Sequence, residues 1–354
     1  MFKELKKGEF ESIEKEFIDY WKENDILQKS IDKSNNYFVF YDGPATANGH
    51  PGLHHMVAKF LKDSFCKYKT MQGYKVLRKV GWDTHGLPVE VEAEKKLGFN
   101  SKKDIENYGI EKFNNVCREL VWSNEKSFSD LTAKMGQFID LEHPYVTYDN
   151  NYIETEWWIL KKFFEEGLFY EGVKIVPYCT RCGTGLASHE VAQGYKDIDT
   201  NTVFVPFKKS DEDCYFLVWT TTPWTLISNV ALCVNPNEKY VKVESNGYKF
   251  ILAKALVNKV LGDDIKILEE YLGKDLEYAS YEQLIPSLKV NKKAFYVTCD
   301  TYVTMEDGTG IVHIAPAFGQ DDSSVAKKYN LPYLNPVGED GCYTEGLWKG
   351  KNVF

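Results

Sequence analysis

Residues 41 to 55 read Tyr-Asp-Gly-Pro-Ala-Thr-Ala-Asn-Gly-His-Pro-Gly-Leu-His-His, and they separate two stretches of opposite periodicity. Before them, Tyr37 to Tyr41 is wholly aromatic or β-branched, as a buried strand requires. After them, apolar residues recur at Val57, Phe60, Leu61, Phe65, Tyr68 and Met71 until Gly73 offers a stop, which is the period of a helix. A chain that passes from strand to helix through a loop of small residues is committed to α/β architecture. Small residues let the backbone approach a ligand, and the free N–H groups and positive end of the helix favour phosphate. His54 and His55 stand at the helix start, where imidazoles can donate hydrogen bonds to phosphate oxygens. Glycine-rich turns before helices are common, and paired histidines are usually solvated or satisfied in a core, so this segment alone does not fix a function.

A second loop does more. Tyr74 to Val80 has the composition of another strand and runs into Gly81-Trp82-Asp83-Thr84-His85-Gly86-Leu87-Pro88-Val89-Glu90. With both loops present, the chain resembles the class I aminoacyl-tRNA synthetases, which carry Pro-x-x-x-Asn-Gly-x-x-His-x-Gly-His after the first strand and Gly-Trp-Asp-Cys/Thr-His-Gly-Leu-Pro after the second. Thr84-His85 is similar to the isoleucine-specific branch rather than the leucine or valine branches. Val218-Trp219-Thr220-Thr221-Thr222-Pro223-Trp224-Thr225 resembles the threonine-rich strand of that branch's editing domain. Gly308 to Pro316, followed by Asp321-Asp322, resembles its partner segment.

The resemblance implies a fold: the N-terminal half of a Rossmann-like nucleotide-binding domain, an inserted zinc-ribbon segment and a β-barrel-like editing domain. The boundaries expected are a helical arm over 1–36, the catalytic half-domain over 37–150, a connective segment over 151–195 and an incomplete editing domain over 196–354. It also implies ligation of isoleucine to its tRNA through an adenylate, with ATP and Mg²⁺ as substrate and hydrolysis of mischarged valyl-tRNA. On that basis Asp83 would hold the substrate ammonium, with Gly43, Pro44 and His85 lining the amino-acid pocket. Asn48, Gly49, Gly52, His54 and His55 would meet ATP, the two histidines as catalytic groups.

The chain departs from the family in that first motif. Gly52-Leu53-His54-His55 stands where His-x-Gly-His is expected, so an imidazole occupies the place of the glycine on which adenine lies. In the second half, Thr220, Thr221, Thr222, Thr225, His313 and Asp322 would form the editing pocket. Asp322 would hold the ammonium of the wrong amino acid there, and His313 would limit the pocket's size. Cys179-Thr180-Arg181-Cys182 is a knuckle that can aim two thiolates at one metal, but a structural zinc needs four ligands, so it is half a site. Two buried free cysteines are the alternative.

Lys-Met-Ser-Lys-Ser, the family's second ATP motif, does not occur. The expectation is therefore an N-terminal portion that is inactive in adenylation by itself. A stand-alone editing hydrolase or an inactive tRNA-binding fragment are the alternatives.

Length and composition agree with several domains, since 354 residues with 43% apolar content can bury more than one core. No run of 18 apolar residues occurs, and Met-Phe-Lys-Glu-Leu-Lys-Lys-Gly is charged, which together point to the cytoplasm rather than a membrane, while the resemblance implies a monomer. Eight scattered cysteines suggest reduced thiols. A net charge of −9 argues against a surface coated by nucleic acid, although a local RNA-binding face survives such an average. Helices are expected over 9–29, 57–72, 102–108, 110–120, 124–135 and 150–167, the last with Trp157, Trp158, Phe163 and Phe164 inward. Short strands near 203–207, 215–222 and 240–243 follow, with a helix near 254–261.

Overall fold

Helix-forming residues without glycine or proline open the chain as α1 (Phe10–Glu23) and α2 (Ile26–Asp32). They are broken at Asp25, whose φ of 48° is left-handed, a conformation that aspartate tolerates better than most residues. The computed structural model describes residues 8–40, 42–46 and 48–354, and the chain divides into two units, 1–171 and 172–354. The arm is thus two helices where the sequence suggests one. Its anchor is Trp21, whose ring lies 5.5 Å from that of Phe138, while Phe17 and Tyr20 are exposed.

The first unit is built on a parallel sheet. β1 (Ala45–Thr46) leads into α3 (Leu53–Met71), then β2 (Lys79–Asp83), α4 (Leu87–Leu97), α5 (Lys102–Tyr108), α6 (Ile110–Lys134), β3 (Asp140–Val146) and α7 (Asn150–Glu165). β2 is central, paired in parallel with β1 and β3. Val80 and Trp82 are buried on it against Phe128 and Val146.

Several expectations shift here. The run from Tyr37 forms one parallel bridge to Lys75 rather than a strand, Val39 is exposed, and Tyr41 lies outside the described residues. The strands begin later, at 45 and 79, where β2 is covered on both sides. The apolar stripe Phe60, Leu61, Phe65, Tyr68 and Met71 of α3 is exposed, because the helix turns Lys59 and Cys66 inward instead. Trp157, Trp158, Phe163 and Phe164 of α7 are exposed too. α4 is absent from the sequence reading, although Pro88 in its first turn and left-handed Gly98 at its end are start and stop signals. No glycine or proline interrupts 110–134, so α6 is one helix rather than two.

The second unit begins with the hairpin β4 (Tyr178–Cys179) and β5 (Thr184–Gly185), then α8 (Ser188–Gln193). β6 (Val203–Lys208), β7 (Tyr215–Thr220), β8 (Ala231–Val234), β9 (Lys239–Ser245), β10 (Tyr248–Ala253), α9 (Val257–Leu261) and β11 (Lys266–Leu272) follow. β12 (Tyr296–Cys299), β13 (Ile311–Ile314) and α10 (Gln320–Tyr329) complete the unit. Five strands form one sheet, ordered β11-β9-β10-β7-β6, and three form another, ordered β12-β8-β13. Phe207, Phe216, Val218, Leu232, Ile251, Val297 and Ile311 share one core drawn from both sheets. All eight cysteines are free, and no helix among the described residues is long and apolar enough to cross a membrane.

Gly81 is a packing requirement of β2. A Cβ there would fall 1.9 Å from Tyr145 Cζ, and the Tyr145 hydroxyl donates to the Asp42 carbonyl at 2.5 Å. Gly81→Ala should therefore cost about 1–3 kcal/mol through overpacking. Amide hydrogen exchange should quicken in β2 and β3 and stay unchanged in the second unit; unchanged protection of β2 would refute the account.

Candidate functional sites

Parallel pairing brings the C-terminal ends of β1 and β2 to one edge, where open α/β sheets receive ligands. Thr46 stands in register with Asp83, and its hydroxyl donates to Asp83 Oδ2 at 3.2 Å. Behind Asp83, the Thr147 hydroxyl lies 2.9 Å from His85 Nδ1 and accepts the Thr84 N–H at 3.1 Å. That threonine holds the second loop to the end of β3.

α3 starts in a reciprocal cap. The Gly52 carbonyl accepts the His55 N–H at 3.0 Å, while His55 Nδ1 accepts the Gly52 N–H at 3.0 Å. Nδ1 is thereby an acceptor, so the ring proton sits on Nε2 and is free to donate. Burial lowers the His55 pKa, with the His54 ring and the Lys59 ammonium adding to it, which keeps this tautomer neutral. The His54 ring lies 3.9 Å from that of His55, and a Cβ on Gly52 would meet it at 3.0 Å. Asn48, Gly43 and Pro44 are exposed along the loop, and Gly49 and Gly52 are half-buried.

Beneath the loop is a cavity of about 180 Å³ lined by Asp42, Gly43, His55, Lys59, Lys62 and Trp82. Lys62 pairs with Asp42. Lys59 is 6% exposed, and burial lowers its pKa against the opposing pull of Asp42. Thr46, Thr147, Lys59 and Lys62 are absent from the sequence reading. For the lysines a signal existed, since they follow His55 at the i+4 and i+7 spacing of one helix face.

In the second unit the threonine segment and β13 converge. The Thr222 N–H donates to Thr220 Oγ1 at 3.1 Å, and Thr225 Oγ1 donates to the Thr222 carbonyl at 2.8 Å. Because that hydroxyl proton is committed, His313 Nε2, 3.1 Å away, is the donor toward Thr225, leaving Nδ1 buried with no partner. Burial pushes the His313 pKa down to about 4. Thr221 is exposed beside this network.

Asp322 sits in the first turn of α10 and accepts the Ala315 N–H at 2.8 Å, two residues beyond His313. Its pKa is pushed up to about 6, first by burial, against the Ala315 hydrogen bond. Gly319 makes room for it, since a Cβ there would fall 2.8 Å from Asp322 Cγ. The link from Asp322 to the threonines thus runs through the strand that carries His313.

The Cys179 knuckle is formed in the β4–β5 hairpin. Its carbonyl accepts the Gly183 N–H at 2.8 Å and its sulfur accepts the Cys182 N–H at 3.4 Å. Among the described residues, no group of three or more His, Cys, Asp or Glu is placed to hold a metal ion.

Against known proteins, the model of class I tRNA synthetases (I, L, M and V) matches residues 16–311. An isoleucine–tRNA ligase of Clostridium novyi (strain NT) is 51% identical over 351 residues, 98% of this chain and 34% of the relative. One from Clostridium acetobutylicum is 52% identical over 346 residues, 96% and 33% respectively. The chain spans about a third of the length of the curated relatives it matches. Among solved structures, the ternary complex of Agrobacterium radiobacter K84 agnB2 LeuRS with tRNA and LeuAMS covers 93% of this chain and 44% of its own, at 14% identity and a TM-score of 0.40.

Asp322 and His313 oppose each other in acid. A folded-state pKa near 6 against the usual 3.8 means that the stability from Asp322 is complete below about pH 4 and lost as pH rises through 6. A His313 pKa near 4 against 6.5 means the reverse: its contribution is complete above 6.5 and lost as pH falls through 4. The two slopes nearly cancel between them. Asp322→Asn should unmask the histidine, so that stability in urea falls, relative to wild type, by about 3 kcal/mol from pH 6.5 to 4. His313→Gln should give the opposite slope; wild-type profiles in both variants would refute it.

Proposed function

Because the chain belongs to the class I tRNA synthetases (I, L, M and V), we propose that it serves in the ligation of isoleucine to its tRNA, with hydrolytic removal of misattached valine. The observation that carries this reading is 51% identity to an isoleucine–tRNA ligase running through 98% of the chain. The carboxylate of isoleucine attacks the α-phosphorus of ATP, forming the mixed anhydride and releasing pyrophosphate. Little covalent help is needed, so the protein's work is alignment and stabilisation of charge.

Asp83, steadied by Thr46, receives the isoleucine ammonium, with Gly43, Pro44 and the Thr147-anchored His85 around it. ATP, carried with Mg²⁺, lays its phosphates at the start of α3. There Asn48, Gly49 and Gly52 shape the loop, and His55 offers its Nε2–H. His54 stands beside it as the second imidazole. The working divisions are the arm over 1–36, the nucleotide half-domain over 37–150, the connective segment over 151–195 and the editing domain from 196. Zinc held by Cys179, Cys182 and two further ligands would cross-link the connective segment; it takes no part in the chemistry.

A methylene separates isoleucine from valine, worth about 1–3 kcal/mol in a pocket, a figure for which isoleucine against valine is itself the standard example. A second, smaller pocket answers that limit. Asp322 holds the ammonium of valine, the Thr220–Thr222–Thr225 network orients the ester and its attacking water, and His313 bounds the space. The default partners are isoleucine tRNA, ATP and isoleucine, handled by a cytoplasmic monomer.

Asp322→Ala, in the protein at its natural length, should slow deacylation of valyl-tRNA by about 10- to 100-fold, the worth of a charge-assisted hydrogen bond. Isoleucine-dependent ATP–pyrophosphate exchange should stay within about twofold of wild type, because the substitution lies outside the nucleotide site. Undiminished deacylation would remove Asp322 from the pocket, and absence of exchange in the wild type would remove the ligase reading.

A further inference from the structure

On a chain of net charge −9, one face of the second unit gathers cations and aromatic rings while the acids beside them are already engaged. Its centre is Tyr278, in the turn after the short 3-10 segment Gly273–Leu276. The turn is pinned to β12, with the Tyr278 N–H donating to the Val297 carbonyl at 2.8 Å and the Val297 N–H to that of Ala279 at 2.9 Å. Tyr278 takes a φ of 66°, a left-handed conformation that disfavours a bulky side chain, and yet it is 55% exposed. Core packing does not account for a tyrosine there.

The ring is instead part of a cluster. It lies 5.6 Å from the ring of Tyr296 at 31° and 6.1 Å from that of Tyr329 at 65°. Lys293 Nζ stands 5.5 Å from the Tyr278 ring and 5.1 Å from the Tyr296 ring. Lys328 Nζ stands 5.4 Å from the Tyr329 ring. Of the acids, Glu277 accepts the Tyr329 hydroxyl at 2.5 Å and Asp300 faces Lys328 at 3.6 Å. Lys293 has no carboxylate partner among the described residues, and Lys292 is held only by the neutral Asn330 side chain at 3.0 Å. Lys293 thus stands over the Tyr278 and Tyr296 rings without a carboxylate to neutralise it, and Lys292 precedes it in the chain, leaving the Tyr278 ring partly exposed.

We propose that this face is a stacking platform for unpaired nucleotides of an RNA strand, a base lying on Tyr278 and its phosphates meeting Lys293 and Lys292. A nucleotide joins a flat aromatic face to an adjacent anion, the two features this surface complements. A duplex hides its base faces, so the platform selects single strands. Every base has a π-face, so it reads no sequence. The choice of RNA rests on the reading that the chain handles tRNA.

The test is fluorescence anisotropy of the purified 354-residue protein with a labelled single-stranded RNA oligonucleotide and with the same sequence as a blunt duplex. The single strand should bind more tightly. Tyr278→Gly should weaken that binding by about 5- to 100-fold. Its melting temperature should hold or rise, because glycine suits the left-handed turn, so lost binding cannot be lost folding. Tyr278→Phe should bind as wild type, and Lys293→Gln should flatten the dependence of log K on log salt by about 0.7. Unchanged binding by Tyr278→Gly, equal affinity for the duplex or no oligonucleotide binding would each overturn the platform. Isoleucine-dependent pyrophosphate exchange of the wild-type protein at its natural length, which involves no RNA, reports on the ligase reading separately.

Discussion

The burial of β2 between two parallel neighbours is the constraint from which the first site follows. Trp82 and Val80 are inaccessible on it, and Gly81 is bare because the Tyr145 ring lies against its backbone. A strand fixed so tightly ends at a defined point, and the residue there is Asp83, beside Thr46 of its partner. The carboxylate is aimed by the sheet rather than by a loop. Tyr145 extends the same lock to the preceding loop by donating to the Asp42 carbonyl, and Asp42 in turn pairs with Lys62 of α3. Strand, loop and helix are thereby tied by polar contacts around one small cavity.

The second unit solves a different problem, holding a carboxyl and an imidazole in a place that disfavours charge on either. Burial moves Asp322 up and His313 down, so near neutrality the histidine is neutral and the aspartate is more readily protonated than usual. An incoming ammonium would restore full ionisation of Asp322, while a neutral His313 adds no competing positive charge. The bare Nδ1 of His313 is an acceptor left open in an otherwise satisfied network. Burial is the first cause of both shifts, acting in opposite directions because one group is an acid and the other a base.

Much of this was legible in the sequence, and the failures are physical. The loops were visible because glycine and proline punctuate strands and helices, and strands such as 203–208 and 239–245 lie close to where the β-rich runs put them. What periodicity could not say was which face is covered. The apolar stripes of α3 and α7 have the spacing of buried faces yet are exposed, whereas Lys59 and Cys66 are inside. The spacing of apolar residues tells that a helix has two sides, and not which side the rest of the chain covers. Cooperation between residues distant in the chain, such as Thr46 with Asp83 or Ala315 with Asp322, leaves no local mark.

The altered first motif becomes intelligible in the same terms. An imidazole at His54 and a glycine at 52 are not independent substitutions, since any Cβ at 52 would stand 3.0 Å from the His54 ring. Gly52 also adopts the extended conformation of a helix N-cap, and its N–H is taken by His55 Nδ1. The cap needs an acceptor in the third helical position, and a histidine there supplies it with Nδ1 while its proton sits on Nε2. The first imidazole, moved two residues along, rests on the second at 3.9 Å and depresses its pKa further. The swap therefore keeps two rings at the helix start and strengthens the neutrality of the one whose Nε2–H points away from the cap.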